Sequence, residues 1–439
     1  MVEGAGRPLV VEGVRVIDGT GNPPLEDAVV VVVGERIVAV GPRGQVPLPA
    51  LAERVVGEGR TLLPGLIDVH VHDPSEANLV LYLKNGVTSI RFAGGHQPTL
   101  RALRDRIARG ETLGPRVFSV GPAIDGTPHA WPGSLPVDSP IEARRLVRRL
   151  VEEEEVDALL ATHRVTRPVL AAIVETAHAL GVPVTGQLWT CSARDAIAVG
   201  MDGLENTTRI PESAAFPPAR LFSYRSVSQR LAILAHLWVE TPWAELAELA
   251  RQLAASGIAL APELVSFEGW ARANEGEVKA DRNWPSAPDD PQVQAYERHV
   301  AYLTRDWSPD DVAAQRAAVV RYREFCRVFH EAGGLLVAGT DMGFGGILLH
   351  RELWHFQQAG LDALAVIRTA TRQAASALGR ADLGLVAVGA LADLVLVNGN
   401  PLDDLAALRQ VEAVFIGGRP VVQAGAVLRP APPAGAGAR

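Results

Sequence analysis

The chain has 439 residues, 48% of them apolar, and a formal net charge of −8. That length suits a large domain with a smaller companion, and the net acidity leaves no basic field to draw in nucleic acid or an anionic membrane. No window has the apolar length of a membrane-spanning helix, and the opening MVEGAGRPLVVEG lacks a basic stretch followed by an apolar core.

In chain order, residues 9–11, 14–18, 28–33 and 36–41 read as short strands, punctuated by Gly19, Gly21, Pro23, Pro24 and Gly34. From Pro64 the texture changes. Apolar runs at 86–90, 116–120, 158–160, 182–184, 258–261 and 335–338 alternate with helical patterns, the clearest over 141–155. This alternation predicts an α/β fold, a (β/α)8 TIM-like barrel over 64–384 with a helical insertion around 207–330. Strand texture returns at 394–397, 411–416 and 421–422. Residues 1–63 and 385–430 are therefore expected to form one small β-sandwich domain from both chain ends. The tail over 431–439, rich in Ala, Gly and Pro, reads as disordered.

The stretch richest in chemistry is Pro64-Gly65-Leu66-Ile67-Asp68-Val69-His70-Val71-His72. Residues i and i+2 of a strand share a face, so His70 and His72 project together and make half a transition-metal site. Only Cys191 and Cys326 are present, far apart, so no disulfide framework is expected and the cytoplasm is the default compartment.

These motifs resemble the amidohydrolase superfamily, nearest its imidazolonepropionase and prolidase-like branch. The likeness runs from Pro64–His72 through Gly86-Val87-Thr88-Ser89-Ile90-Arg91, Ala338-Gly339-Thr340-Asp341 and His350-Arg351-Glu352-Leu353 to Gly389-Ala390-Leu391-Ala392-Asp393. The resemblance implies one or two divalent metals at the carboxyl face of the barrel and hydrolysis by metal-activated water. On that basis His70, His72 and Asp341 are the expected metal ligands for one cation, taken as zinc. Asp341 doubles as base, and His129 joins it as a catalytic residue that orients substrate.

The chain also departs from the family. The fourth strand normally carries a lysine that becomes carbamylated; Leu160 stands there, and neither Lys84 nor Lys279 lies near a barrel-strand end. Gln187 replaces the histidine of the fifth strand, Trp189 a frequent second one, Asn206 the histidine of the sixth, and Phe92 an often acidic residue. A mononuclear site without carbamylated lysine is expected. Gln187, Asn206, Trp189, His163 and His350 are the expected substrate-binding residues around a small, rather apolar molecule. The reading is a hydrolase of C–N or ester-like bonds. Two others stay open: a metal-free lyase, isomerase or cyclase using His70, His72 and Asp341 as acid and base, and a non-catalytic binding protein. The expected partner is a small-molecule substrate, with self-association left open.

Overall fold

The computed structural model describes residues 7–206, 209–215, 226–272, 275–285 and 290–428. The tail expected to be disordered, 431–439, lies outside the described residues, as do 273–274 and 286–289 of the polar patch within the helical stretch.

Eight parallel strands form the barrel: Leu66–Val71, Val87–Phe92, Arg116–Ser119, Leu159–His163, Val184–Leu188, Gly203–Glu205, Ala259–Ala261 and Leu335–Leu336. They are called the first to eighth strands below. Two seams close the ring. The Asp157 N–H donates to the Ser119 carbonyl (2.8 Å), joining the third strand to the fourth, and the Val69 N–H donates to the Ala338 carbonyl (3.1 Å), joining the eighth to the first. Because all strands run the same way, the residues just past their carboxyl ends gather at one mouth.

The small domain draws strands from both ends of the chain into one continuous nine-stranded hydrogen-bonded sheet. Its junction is Leu394–Asn398 lying antiparallel to Arg60–Pro64, which leads directly into the first barrel strand. Val11, Val14, Val30, Leu62, Leu394 and Phe415 form its core on one face. The helical stretch expected over 207–330 is divided by the seventh strand. It is thus two helical crossovers, and Leu264–Trp270, Pro291–Leu303 and Pro309–Glu331 belong to the later one. The helix expected over 141–155 starts at Pro140, where Ser139 and Glu142 form a reciprocal capping box. It widens after Arg148 into a looser turn over Arg149–Glu153.

Candidate functional site

The first and eighth strands are tied together before they present any chemistry. The buried Asp68 carboxylate accepts from the Thr340 hydroxyl (2.8 Å), the Thr340 amide (3.2 Å) and the His70 amide (3.2 Å). Burial raises its pKa to about 7 despite these bonds. A Cβ at Gly339 would come 3.0 Å from the Cβ of His70, a tight contact that a residue without a side chain avoids where the two strands approach. The Ile67-Asp68 and Gly339-Thr340 motifs, 272 residues apart at their bonded pair, are thus two halves of one clamp.

That clamp sets three donor atoms face to face. His70 Nε2 lies 3.1 Å from His72 Nε2 and 3.1 Å from Asp341 Oδ1, and His72 Nε2 lies 2.8 Å from the same oxygen. Tetrahedral zinc with bonds of about 2.0–2.1 Å separates its ligand atoms by about 3.3 Å, so this triangle is close to the size a first-row cation needs. His70 is buried and His72 opens to the mouth with half its side chain exposed.

Beneath the triangle, the other ring nitrogen of His70 meets two carboxylates. Nδ1 lies 2.5 Å from Glu205 Oε2 and 2.8 Å from Glu263 Oε1. Both glutamates are buried, Glu205 at the end of the sixth strand and Glu263 two residues past the seventh. Glu205 is also paired with the buried Arg91 guanidinium and accepts from the Thr185 hydroxyl (2.6 Å). Burial opposes ionising Glu205, but Arg91 and His70 overcome it and lower its pKa; burial pushes Glu263 up. Burial likewise opposes charge on His70, yet the carboxylates of Glu263, Asp341 and Glu205 outweigh it and raise its pKa well above the usual imidazole range. For Asp341 burial is again the opposing influence, and His70 and His72 hold the carboxyl well below its ordinary range.

Asn206, Glu263 and Asp341 all have left-handed backbones, with φ of 62°, 55° and 55°. Each follows a barrel strand at the mouth. For residues with a Cβ this conformation costs roughly 1–2 kcal/mol, and such strain concentrates at functional sites.

The residues expected from sequence are distributed unevenly. Asn206 joins the triad, but its amide nitrogen donates to Asp341 Oδ2 (3.1 Å), so it orients the carboxylate instead of offering a carbonyl oxygen. His163 is buried beside the Trp189 ring (centroids 4.0 Å apart), with Nδ1 3.6 Å from Asp125 Oδ2. Burial lowers its pKa. Trp189 also lies under the Arg230 guanidinium (4.7 Å), and Trp131 completes this aromatic wall 6.3 Å from His163. Gln187 is half-buried in register with Thr162 and makes no side-chain hydrogen bond among the described residues. His129 is exposed on the loop beyond Asp125, with no side-chain bond among the described residues.

His350 is occupied elsewhere: buried in helix Ile347–Gln358, its Nε2 lies 3.0 Å from the Asn85 carbonyl, and burial lowers its pKa to about 3. Leu160 packs with Ala93, Val120 and Ala158, so the family's lysine position is filled with hydrocarbon. Phe92 belongs to the main apolar core and does not line the triad. Its neighbour Arg91 is the residue of the second strand that faces the site.

Sequence reasoning missed Glu205 and Glu263 as site residues. Glu205 immediately precedes Asn206, the position aligned with the family's sixth-strand histidine, which was a usable signal. Glu263, in Pro262-Glu263-Leu264, carries none. On helix Pro291–Leu303, burial lowers the pKa of His299, with the Asp341 charge opposing that shift and His72 adding to it.

A model of the Amidohydrolase family matches residues 61–421. Imidazolonepropionase of Yersinia pestis (strain Pestoides F) is 32% identical over 147 residues, which cover 30% of this chain and 36% of that protein. The matched part is therefore about a third of that relative's length. Among solved structures, a putative prolidase from Bifidobacterium longum superposes with a TM-score of 0.70 at 24% identity, covering 95% of each chain. A. niger ochratoxinase gives a TM-score of 0.70 at 19% identity, covering 98% of this chain and 99% of its own. At these identities the two structural likenesses are likenesses of fold.

Proposed function

The chain belongs to the amidohydrolase family, and from that premise we propose that it is a mononuclear, zinc-dependent hydrolase. Its proposed substrate is a small, largely apolar molecule with an amide-like C–N or ester-like bond. The observation that carries the reading is the triangle of His70 Nε2, His72 Nε2 and Asp341 Oδ1, with edges of 2.8–3.1 Å. Two imidazole nitrogens and one carboxylate oxygen suit zinc among the common divalent cations.

The charges at the site are compatible with a cation. Glu205, Glu263 and Asp341 are buried or nearly buried carboxyl groups around His70, and Arg91 is paired with Glu205. With Glu263 ionised and His70 neutral, a divalent cation would bring this set to neutrality, and buried uncompensated charge is costly. When bound, the cation supplies Lewis acidity toward a carbonyl oxygen and acidifies a water.

The protein's own groups do the rest. Glu205 Oε2 and Glu263 Oε1 lie against His70 Nδ1, so with the cation bound they would hold a proton there and leave the Nε2 lone pair directed into the triangle. Asn206 holds Oδ2 of Asp341 so that Oδ1 faces the two histidines, and Asp341 is the group placed to take a proton at the mouth. Trp189, with Trp131 and His163, offers an aromatic wall for an apolar substrate, and Gln187 is the uncommitted amide beside it.

Metal analysis of the purified protein, followed by chelation and reconstitution, tests the reading. About one zinc per chain is expected, with hydrolysis of a panel of amides and esters lost on chelation and regained with zinc. Absence of metal in every preparation, with chelator-insensitive turnover, would overturn it in favour of metal-free acid–base chemistry at the same residues.

A further inference from the structure

The segment His350-Arg351-Glu352-Leu353 was singled out in the sequence, yet none of it touches the triad directly in the contacts described above. Its bonds explain what it does. Helix Leu264–Trp270 begins at the mouth immediately after Glu263, whose side chain does not cap it. The first amides of a helix need acceptors. They find them in Glu352, whose two buried oxygens accept from the Leu264 N–H (3.0 Å) and the Val265 N–H (2.7 Å). The other end of the same helix is held by Arg351, which donates from Nε (2.9 Å) and a terminal nitrogen (2.8 Å) to the two oxygens of Glu268.

The helix is thus gripped at both ends by adjacent residues of helix Ile347–Gln358. Capping by Glu352 frees the Glu263 side chain, and the left-handed turn at Glu263 (φ 55°) directs it to His70 Nδ1 at 2.8 Å. We infer that Glu352 and Glu263 form a positioning relay, Glu352 to the Leu264 and Val265 amides to Glu263 to His70, that fixes which nitrogen of His70 faces the triad. The relay gives the motif a role in cation binding at a distance from the cation. It rests on the reading of the triad as a zinc site.

The test uses the full chain and Zn2+ alone, measured by competition with a chromogenic chelator, with amide hydrogen exchange on the zinc-free protein as a second readout. Glu263→Ala is expected to weaken Zn2+ binding about 10- to 100-fold, the usual range for partners of a ligating histidine, with the Leu264 and Val265 amides still protected. Glu263→Gln retains a carbonyl oxygen for Nδ1–H and should return affinity to within about fivefold of the parent. Glu352→Ala should weaken binding comparably to Glu263→Ala and also speed exchange at Leu264 and Val265 about tenfold or more. The double variant should bind no more weakly than the weaker single one, because both changes break one chain of contacts. Zn2+ affinity within twofold of the parent in Glu263→Ala would overturn the relay.

If the parent protein takes up no zinc, or His70→Ala takes up as much, the zinc reading itself falls. The relay is then decided by crystal structures of the zinc-free protein. A His70 ring turned away from the triad in both Glu263→Ala and Glu352→Ala supports it, and an unchanged ring in either variant sinks it.

Discussion

The two sides of the barrel mouth are built from different chemistry. Around the first, sixth, seventh and eighth strands, His70, His72, Glu205, Asn206, Glu263 and Asp341 form one connected set of short polar contacts over Arg91. Around the fourth and fifth, Leu160 lies among alanines and a valine, and His163 packs between indole rings. A family barrel with two metals needs ligands on both sides. Here the family ligand positions on both sides are altered, at Leu160 and Gln187 on one and at Asn206 on the other, but only the second side holds a connected set of polar donors. The lesson is that the polar contacts gather in one arc, where the proposed function puts the cation, and the apolar surface in the other, where it puts the substrate.

The comparison can be broken at its polar side with the largest effect. Asp341→Asn removes the only anionic donor of the triangle, and Zn2+ binding should weaken by more than about 100-fold, beyond the 10- to 100-fold expected of outer partners. Equilibrium dialysis against Zn2+ measures this, and an affinity within tenfold of the parent would deny Asp341 its place. On the apolar side, Leu160→Lys restores the family's residue type into a pocket of Ala93, Val120 and Ala158. An unpaired buried ammonium costs several kcal/mol. The melting temperature should drop by many degrees, and no second metal should appear by elemental analysis.

Trp189→Ala sharpens the contrast in the other direction. Zinc content should stay at the parental value, while KM for apolar substrates rises about tenfold as the aromatic wall opens beside His163. A loss of zinc in this variant would join the two sides that the structure separates.

The smallest effect concerns helix Leu264–Trp270 away from the mouth. Burial opposes ionising Glu268, but the His355 and Arg351 contacts hold its pKa down to about 2, while burial lowers that of His355 to about 4. Both folded-state values lie below their unfolded ones, so both groups bind fewer protons when folded. Their contribution is present at neutral pH and is lost on acidification, for His355 as pH falls from about 6.5 toward 4 and for Glu268 from about 4.5 toward 2. Glu268→Gln should therefore narrow the stability difference between pH 7 and pH 3 in urea unfolding by an amount of order 1–3 kcal/mol. An unchanged difference would contradict the assignment.

The fold was legible because its signals are local. Apolar runs of strand length between helical patterns mark the barrel, and the motifs at 64–72 and 338–341 bond to each other through Asp68 and Thr340. The triad was legible for the same reason, since each member sits in a short recognisable motif. What escaped depends on turns and distant packing. Glu263 reaches His70 only because its backbone is left-handed and its helix is capped by Glu352, 88 residues from Leu264. Asn206 was identified, but the direction of its amide follows from where Asp341 Oδ2 ends up. His350 was placed near substrate by its motif, whereas the structure uses it to bond the carbonyl of Asn85.

The most direct test of the central claim is zinc stoichiometry by elemental analysis on three proteins purified side by side: the parent, His70→Ala and Trp189→Ala. The account predicts about one zinc per chain in the parent and in Trp189→Ala, and almost none in His70→Ala. Equal zinc in all three, or none in the parent after reconstitution, would contradict it.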